Sequence, residues 1–429
     1  MGAEYIIMER LTGVQLSSVW TTLPIDKKTE IIKTLAAYQE AWMSAAFKQY
    51  GSLYYAQDIP KRPDQPAFSY IDKDGAEIED QRFMIGPTVH RQSIDYGRAE
   101  VDFNRGPCRS NVIFFGHLYS LTLRAGDTIE DYCIAIGNRE IACVKAVQPP
   151  PKPPLTIVGR YIPTRAKKLA ALQSYMKLIK FLLPTDPSIT TSHVWHSDLH
   201  GENIFVNPDQ PEIVGIIDWQ SVALVPLFEN SFQPAFLDYD GPLLNGLERP
   251  EEPKDLDQLG PVQRASAFDK YVEMTLASYY QNLIYYTNKR LFRTIEFRET
   301  ISYDLLGYAR NILIDGEAVY QERVTDELKK AWNTLPGVQA LNNPPYPFNF
   351  SRGELAAIGK DYEGMSDGIM CMGQIQEEMG DLFPSDRCIS HENYDDAKRT
   401  LKAYKAKVLK QFARDEEEMA AVMAWWPFD

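Results

Sequence analysis

Two nearby stretches of this chain decide its fold: HSDLHGENIF at residues 196–205 and VGIIDW at residues 214–219. Short apolar runs at 204–206 and 213–217 are separated by the turn-rich residues 207–211, and this order predicts a strand, a turn and a second strand. A hairpin of that kind returns Asp218 to the loop that carries Asp198 and Asn203. We therefore expect these three side chains to face one cleft.

These residue types suit phosphoryl transfer, which needs one carboxylate near the attacking hydroxyl and oxygen ligands for Mg²⁺ across the phosphates. Asp198 is the predicted catalytic residue, which accepts the hydroxyl proton or orients the hydroxyl. Asn203 and Asp218 are the predicted metal ligands. His196 is predicted to be structural and to form hydrogen bonds with the loop backbone.

Coincidence is the alternative, because Asp, Asn and Gly are ordinary turn residues. The strand, the turn and the Asp directly after an apolar run are further requirements of the catalytic interpretation, and the sequence meets all of them. An unrelated helical scaffold would require the whole constellation at 196–218 to be accidental.

The same residues resemble the aminoglycoside phosphotransferase (APH) family, whose fold is similar to that of protein kinases. The family has HxDLHxxN and IDW signatures where kinases have HRDxxxxN and DFG, and this chain has HSDLHGEN and IIDW. The resemblance implies ATP and Mg²⁺ as cofactors, with Asp198 as the catalytic aspartate and Asn203 and Asp218 as Mg²⁺ ligands. It also implies an α+β fold, a kinase-like C-lobe that is mostly helical with short β-hairpins.

Residues 4–8 form an apolar run that predicts a buried strand. With the following residues they resemble the last N-lobe strand and the interlobe hinge of the family. On that alignment, the backbone of Glu9 and Leu11 binds the adenine edge and Ile217 packs under the ring. The alternatives are a plain linker for Glu9 and Leu11 and a plain core position for Ile217.

The family's fold begins with a β-rich N-lobe, which bears a phosphate-covering loop and a strand lysine. No GxGxxG-like loop precedes Met8, and no lysine occurs before Lys27. We therefore expect the N-lobe to be largely absent and nucleotide binding to be impaired. Two functions remain open: ATP- and Mg²⁺-dependent transfer to a small-molecule hydroxyl, and a non-catalytic, kinase-derived binding module.

The predicted organisation has three parts. Residues 1–23 are a remnant of the last N-lobe strand and the hinge, 24–250 are the C-lobe core with an irregular insert at 51–148, and 251–429 are a helical extension. Helices are predicted after Pro24, at 127–147 with Asp127 as the N-cap, and at 164–183. Further helices are predicted near 261–292, 298–319, 352–379 and 394–425.

Several short motifs resemble a fungal branch of phosphotransferase-like proteins associated with mitochondrial inheritance. They are GSLYY at 51–55, IGP at 85–87 and DxxRGP at 102–107. This resemblance suggests a mitochondrial location, although the N-terminus does not look like a presequence. Arg98 and Arg105 are candidates for binding a phosphate or an acidic substrate, and solvated surface positions are the alternative.

Residues 110–126 interrupt the similarity to this branch. We hypothesise that they derive from a retained intron, and the alternative is an ordinary surface loop that varies within the family.

Composition narrows the class of protein. The formal net charge of −14 argues against nonspecific nucleic-acid binding, because the phosphate backbone would be repelled. The 5 cysteines are never in a CxxC pair, which favours reduced thiols in an intracellular protein. No apolar run is long enough to predict a membrane span.

Overall fold

The computed structural model describes residues 7–59, 67–103, 128–154, 161–210, 212–230, 233–239, 241, 247–254, 256–384, 389–412 and 415–428. The hypothesis of a retained intron at 110–126 falls outside these residues, as do Arg105 and the predicted cap Asp127.

The described strands are short. They are β1 (Val14–Gln15), β2 (Ala46–Phe47), β3 (Ser52–Tyr55), β4 (Ser69–Ile71), β5 (Glu77–Glu79), β6 (Phe83–Gly86), β7 (Ser192–His193), β8 (Ile204–Val206), β9 (Ile213–Ile216) and β10 (Val225–Pro226).

Helices account for most of the regular structure. They are α1 (Leu16–Val19), α2 (Ile25–Trp42), α3 (Ile129–Ala146), α4 (Arg165–Leu182), α5 (Leu227–Asn230), α6 (Pro261–Thr287), α7 (Lys289–Arg298), α8 (Ile301–Tyr308), α9 (Glu317–Arg323), α10 (Lys329–Ala331), α11 (Pro336–Ala340), α12 (Arg352–Met379), α13 (Tyr394–Phe412) and α14 (Glu416–Trp425). The α+β class predicted from the sequence is confirmed.

The chain forms two compact units, and the first contains the described residues up to His90 together with Asp186–Glu299. Its antiparallel sheet β1-β8-β9 pairs Val14 with Val206 and Ile204 with Ile216. An apolar cluster packs this sheet against α2, because α2 presents apolar side chains at helical spacing. The cluster comprises Leu16, Ile31, Leu35, Leu199, Ile204, Val206 and Ile213.

Two further sheets belong to the same unit. One has the strand order β10-β7-β2-β4-β5, and the other is the hairpin-like pair β3-β6. These strands lie partly within the predicted insert at 51–148, which was expected to contain short strands or turns. Strand β7 directly precedes the loop that contains Asp198, so the sheet fixes the start of that loop.

The second compact unit contains Arg91–Arg105, Thr128–Thr185 and the residues from Thr300 onward, as far as they are described. Helices α3 and α4 pack together, and α4 begins after Thr164, whose side chain accepts a hydrogen bond from the Lys167 N–H. Helix α3 begins one residue later than predicted. Its N-cap is Thr128, which accepts from the Asp131 N–H.

The predicted strand at 4–8 is wrong for its described part, because Ile7 and Met8 are in irregular backbone and the first strand is β1. The expected loss of the N-terminal β-lobe remains a prediction, as do the boundaries at residues 23 and 250. Within the described ranges, no helix combines the length and apolar character required to cross a bilayer.

Candidate active site

The loop between β7 and β8 carries the predicted catalytic residue, and the side chain of His196 forms hydrogen bonds with its backbone. This side chain is buried, with 2% of its surface exposed. The Asp198 N–H donates to His196 Nδ1 at 3.3 Å, so Nδ1 is the acceptor and the ring proton lies on Nε2. Nε2 then donates to the Ile217 carbonyl at 2.8 Å. His196 is therefore structural in this fold, as the sequence predicts.

Every backbone carbonyl from Asp198 to Asn203 accepts a hydrogen bond. The pairs are Asp198 with the N–H of His200 at 3.1 Å, Leu199 with the N–H of Ala235 at 3.2 Å, His200 with the N–H of Asn203 at 3.0 Å, Gly201 with the N–H of Ser17 at 3.0 Å, Glu202 with Gln15 Nε2 at 3.1 Å, and Asn203 with the N–H of Ile217 at 2.9 Å. The donors come from the loop itself, β1, α1 and the segments after β9. The loop backbone is therefore held in one conformation before any ligand binds.

The end of the β8–β9 hairpin brings Asn203 and Asp218 close together. Ile204 pairs with Ile216, and the hydrogen bond from the Ile217 N–H to the Asn203 carbonyl extends the ladder by one step. Asp218 has a φ of +63°, in the left-handed region, and is half-buried. This turn ends β9 at Ile216, one residue earlier than predicted. Asp adopts this region more readily than most residues do.

The amide of Asn203 has a defined orientation. Asn203 Nδ2 donates to the Asp198 carbonyl at 2.9 Å and lies 3.1 Å from His200 Nε2. The Oδ1 atom accepts no hydrogen bond from the described residues, and the Asp218 carboxylate likewise has no described donor. Both groups thus keep oxygen lone pairs for a ligand.

The Asp198 carboxylate is largely solvent-exposed, with 64% of its side-chain surface accessible. Its Oδ1 lies 3.7 Å from His200 Nε2, beyond ordinary hydrogen-bond length. A carboxylate that projects from a fixed backbone and has no close donor can accept a proton from an incoming hydroxyl.

An aromatic cluster borders the loop. The Trp219 ring meets the His196 ring edge-to-face at 4.7 Å between centroids, and it meets the Trp42 ring at 5.3 Å. Trp219 Nε1 donates to the Ile216 carbonyl at 3.0 Å, and the side chain is 39% exposed. The ring is thus fixed while part of its surface faces solvent.

The residues predicted to bind adenine differ in their surroundings: Leu11 packs on a strand, whereas Glu9 is exposed. The Leu11 side chain packs on β9, since a Cβ added to Gly215 would lie 2.6 Å from Leu11 Cδ1. Leu11 therefore lies two positions along the strand from the half-buried Ile217. Glu9 is exposed, and neither its backbone nor that of Leu11 bonds to another described residue. The adenine-binding roles of Glu9, Leu11 and Ile217 remain predictions.

The oxygen atoms at the end of the hairpin suit an Mg²⁺ ion that is bound partly by phosphate and water. They do not form a site in which protein side chains supply every ligand. In the described part of the chain, no group of three or more His, Cys, Asp or Glu side chains is placed to bind a metal ion. Mg²⁺ in phosphotransferases is typically bound through one or two protein oxygens together with phosphate oxygens and water. Asn203 Oδ1 and the Asp218 carboxylate match that pattern, and the metal roles remain predictions.

Arg98 does not lie on a ligand-binding surface. It is 1% exposed in the second unit, where Nε and Nη2 donate to the two oxygens of Glu140 at 3.0 and 2.9 Å. The side chain is therefore committed to a buried ion pair. Neither of the interpretations made for Arg98 from the sequence, ligand binding or surface solvation, is correct.

Gln15 and Ser17 anchor the loop and were missed by sequence reasoning. Their donors reach residues more than 180 positions along the chain, a pairing that no local pattern reveals. Gly201 is the one residue whose type could have indicated this contact from the sequence. A Cβ at Gly201 would lie 3.1 Å from the Ser17 nitrogen, and an isolated glycine often marks such a close backbone approach.

Comparisons with known proteins point to the same part of the chain. Residues 153–229 match the model of the phosphotransferase enzyme family, APH. A subtelomeric hrmA-associated cluster protein of Aspergillus fumigatus is 28% identical over 272 residues, which cover 61% of this chain and 51% of that protein. Altered inheritance of mitochondria protein 9, mitochondrial, of Saccharomyces cerevisiae is 20% identical over 415 residues, covering 91% of this chain and 64% of the relative.

The homonymous protein of Lachancea thermotolerans is 24% identical over 273 residues, which cover 60% of this chain and 42% of the relative. The chain spans about half the length of the first curated relatives it matches. No solved structure matches significantly. The matched segment includes Asp198, Asn203 and Asp218, so the similarity to the phosphotransferase enzyme family covers the three predicted site residues.

Proposed function

We propose that this chain is a phosphotransferase with a kinase-like fold, which transfers the γ-phosphoryl group of ATP, in the presence of Mg²⁺, to a hydroxyl group of a small molecule. One observation carries the proposal. The exposed Asp198 carboxylate projects from a loop whose six consecutive carbonyls are all hydrogen-bonded, and the last of these bonds, from the Ile217 N–H to the Asn203 carbonyl, holds Asn203 next to the backbone that leads into Asp218. Phosphoryl transfer depends mainly on such positioning and on charge stabilisation.

In the reaction, the acceptor oxygen forms a bond to the γ-phosphorus while the bond between that phosphorus and the β–γ bridging oxygen breaks. Asp198 accepts the proton that the acceptor hydroxyl loses, and ADP leaves with the electron pair of the broken bond. Asn203 Oδ1 and the Asp218 carboxylate would bind Mg²⁺, which when present neutralises charge on the phosphate oxygens. The hydrogen bond from Asn203 Nδ2 to the Asp198 carbonyl orients the amide in advance, and the bond from the Ile217 N–H to the Asn203 carbonyl fixes the backbone that leads into Asp218.

Nucleotide binding is assigned to the adjoining surface of β9. The Leu11 side chain lies on Gly215, and Ile217 is half-buried one residue before Asp218. The backbone groups of Glu9 and Leu11, to which the family resemblance assigns the adenine edge, make no hydrogen bond with another described residue. This arrangement supports the hinge assignment drawn from the family resemblance.

Two broader attributes are also proposed. The acceptor is a small molecule that carries a hydroxyl group, as the resemblance to the aminoglycoside phosphotransferase family implies. A mitochondrial location is supported by the names of the relatives from S. cerevisiae and L. thermotolerans, both described as mitochondrial. The alternative function is a non-catalytic, kinase-derived binding module, which an absence of nucleotide binding would favour.

Calorimetric titration of the protein with ATP, in MgCl₂ and in excess EDTA, tests the proposal. We expect binding that depends on Mg²⁺ and that Asp218→Asn weakens at least tenfold. Asp209→Asn is the matched control, because Asp209 lies in the turn at the opposite end of the hairpin. Absence of Mg²⁺-dependent binding in the parent protein, or equal loss in both variants, contradicts the assignment.

A further inference from the structure

Helix α12 exposes an apolar face along its length. Leu355, Tyr362 and Ile369 are 40%, 36% and 45% exposed and follow one another at intervals of seven residues. The opposite side of the helix is buried through residues such as Cys371 and Ile375. A seven-residue spacing of large apolar side chains is the pattern by which one helix packs against another.

Small residues alternate with the large ones on this face. Gly359, Ser366 and Gly373 each follow a large residue by four positions. A Cβ added to Gly359 or Gly373 would meet no atom within 4 Å, so these glycines face open space rather than a neighbouring element. Small residues allow a second helix backbone to approach closely.

The alternation is self-complementary about the middle of the helix. If a second copy of α12 runs antiparallel, with the two-fold axis level with Gly364, each large residue is level with a small one of the other copy. The facing pairs are Leu355 with Gly373, Tyr362 with Ser366, and Ile369 with Gly359. A parallel arrangement in register would instead place large residues level with large ones.

Charges at the ends of the face agree with this register. Arg352 and Glu377 are exposed, and neither forms an ion pair with a described residue. Both residues lie on the same flank of the helix. In the antiparallel dimer, Arg352 of each copy is within one residue of the level of Glu377 in the other copy. Symmetry repeats this ion pair at both ends. In this register Met370, which is 60% exposed on that flank, lies within one residue of the level of Gly359 in the other copy.

From the shape and charge of this face, we infer that α12 forms the interface of an antiparallel, two-fold symmetric homodimer. Such an isologous contact uses one patch twice and closes after two subunits. The face from Leu355 to Gly373 is about 27 Å long at a rise of about 1.5 Å per residue. One helix face of this length buries an area near the lower limit for specific interfaces, on the order of 1,000 Å². Interfaces of this size are typical of weak association, so the dimer is sought at protein concentrations of up to about 100 µM.

Sedimentation equilibrium of the full chain measures this association directly. The parent protein is expected to show a monomer–dimer equilibrium, and Gly373→Glu to weaken it at least tenfold, because a charged side chain occupies the space of the partner's Leu355. Gly353→Glu is the matched control, since Gly353 is exposed but lies about 160° around the helix from Gly373. Circular dichroism confirms that both variants remain folded.

Cross-linking tests the antiparallel orientation. Under mild oxidation, a mixture of Gly359→Cys and Ile369→Cys proteins is expected to form mainly the mixed disulfide, located by mass spectrometry, because these positions face each other across the interface. A parent protein that is monomeric at 100 µM overturns the inference. A dimer that Gly373→Glu leaves unchanged, or one that links Gly359→Cys mainly to itself, overturns it as well.

Discussion

His196 Nε2 donates to the Ile217 carbonyl at 2.8 Å and joins the loop that carries Asp198 to the strand that leads to Asp218. The two residues are 21 positions apart in the chain. Because His196 Nδ1 also accepts the Asp198 N–H, one buried ring fixes the backbone on both sides of the proposed site. Its loss leaves a half-buried carbonyl and a backbone N–H without their partner.

Replacement of His196 by Phe is therefore expected to lower the free energy of unfolding by about 2–4 kcal/mol, the cost of unsatisfied buried polar groups. Urea unfolding followed by circular dichroism measures the change. His391→Phe is the control, because His391 is exposed. Equal stability of the two variants would show that His196 does not join the two halves of the site.

Asp198→Asn is expected to reduce turnover by roughly 100-fold to 10,000-fold, the usual contribution of a positioned general base. Release of ADP from ATP in MgCl₂, with water as the acceptor of the phosphoryl group, gives the rate, and calorimetry gives the affinity. Binding of ATP is expected to change less than twofold, because Asp198 is not assigned to the nucleotide or the metal. Undiminished ADP release in the variant would remove Asp198 from the mechanism, and no release from the parent would favour the binding module.

His193 gives the first unit a specific pH dependence. Burial, together with the nearby Arg290 guanidinium, lowers the pKa of His193 from 6.5 to about 4, although a hydrogen bond to the Ala45 carbonyl opposes the shift. Below pH 6.5 the unfolded chain binds a proton that the folded chain does not, so stability falls as the pH falls towards 4. The contribution of His193 to the free energy of unfolding is about 2 kcal/mol less at pH 5 than at pH 7.

Urea unfolding of the parent protein and of His193→Gln at pH 5 and pH 7 isolates this effect. The parent is expected to lose more stability on acidification than the variant, by about 2 kcal/mol. If the parent and the variant lose the same stability on acidification, the pKa of His193 is not lowered in the folded protein.

Gly13 occupies a position where no other residue fits. Its φ is +108°, and an added Cβ would lie 2.5 Å from the Val206 carbonyl oxygen. Gly75 has a φ of +82° but open space around its Cβ position. Gly75→Ala is expected to cost about 1–2 kcal/mol of backbone strain, and Gly13→Ala about 3–5 kcal/mol because strain and steric overlap combine. Thermal unfolding compares the two variants, and equal costs would contradict the close approach of β1 to β8.

Glu140 is the only described acidic partner of two buried arginines in the second unit. It binds Arg98 at 2.9 Å and Arg139 at 3.0 Å. Glu140→Gln is expected to lower the free energy of unfolding by about 3–5 kcal/mol, since the guanidinium charges stay buried without compensation. Glu130→Gln, at an exposed position on the same helix, is the control. A change below about 1 kcal/mol for Glu140→Gln would show that water reaches the arginines.

Local pattern was sufficient for the parts of the fold that depend on near neighbours. The predicted helix at 164–183 corresponds to α4, and the strand, turn and strand at 204–217 correspond to β8 and β9. The observed ends of some elements differ from the predicted ends because of local backbone conformation. At Asp218, for example, the left-handed φ ends β9 one residue before the predicted end. The strand predicted at 4–8 failed for Ile7 and Met8, because an apolar run becomes a strand only where a partner strand pairs with it.

The sequence by itself determined the chemistry that is available: a carboxylate, an amide and a second carboxylate in the order Asp198, Asn203, Asp218. It also determined the hairpin, because strand period and turn residues are local properties. Only the tertiary structure decided how the loop is held, through donors from Gln15, Ser17 and other distant residues. Hydrogen-bond partners far apart in sequence are chosen by packing, and packing is a property of the whole fold rather than of any one segment.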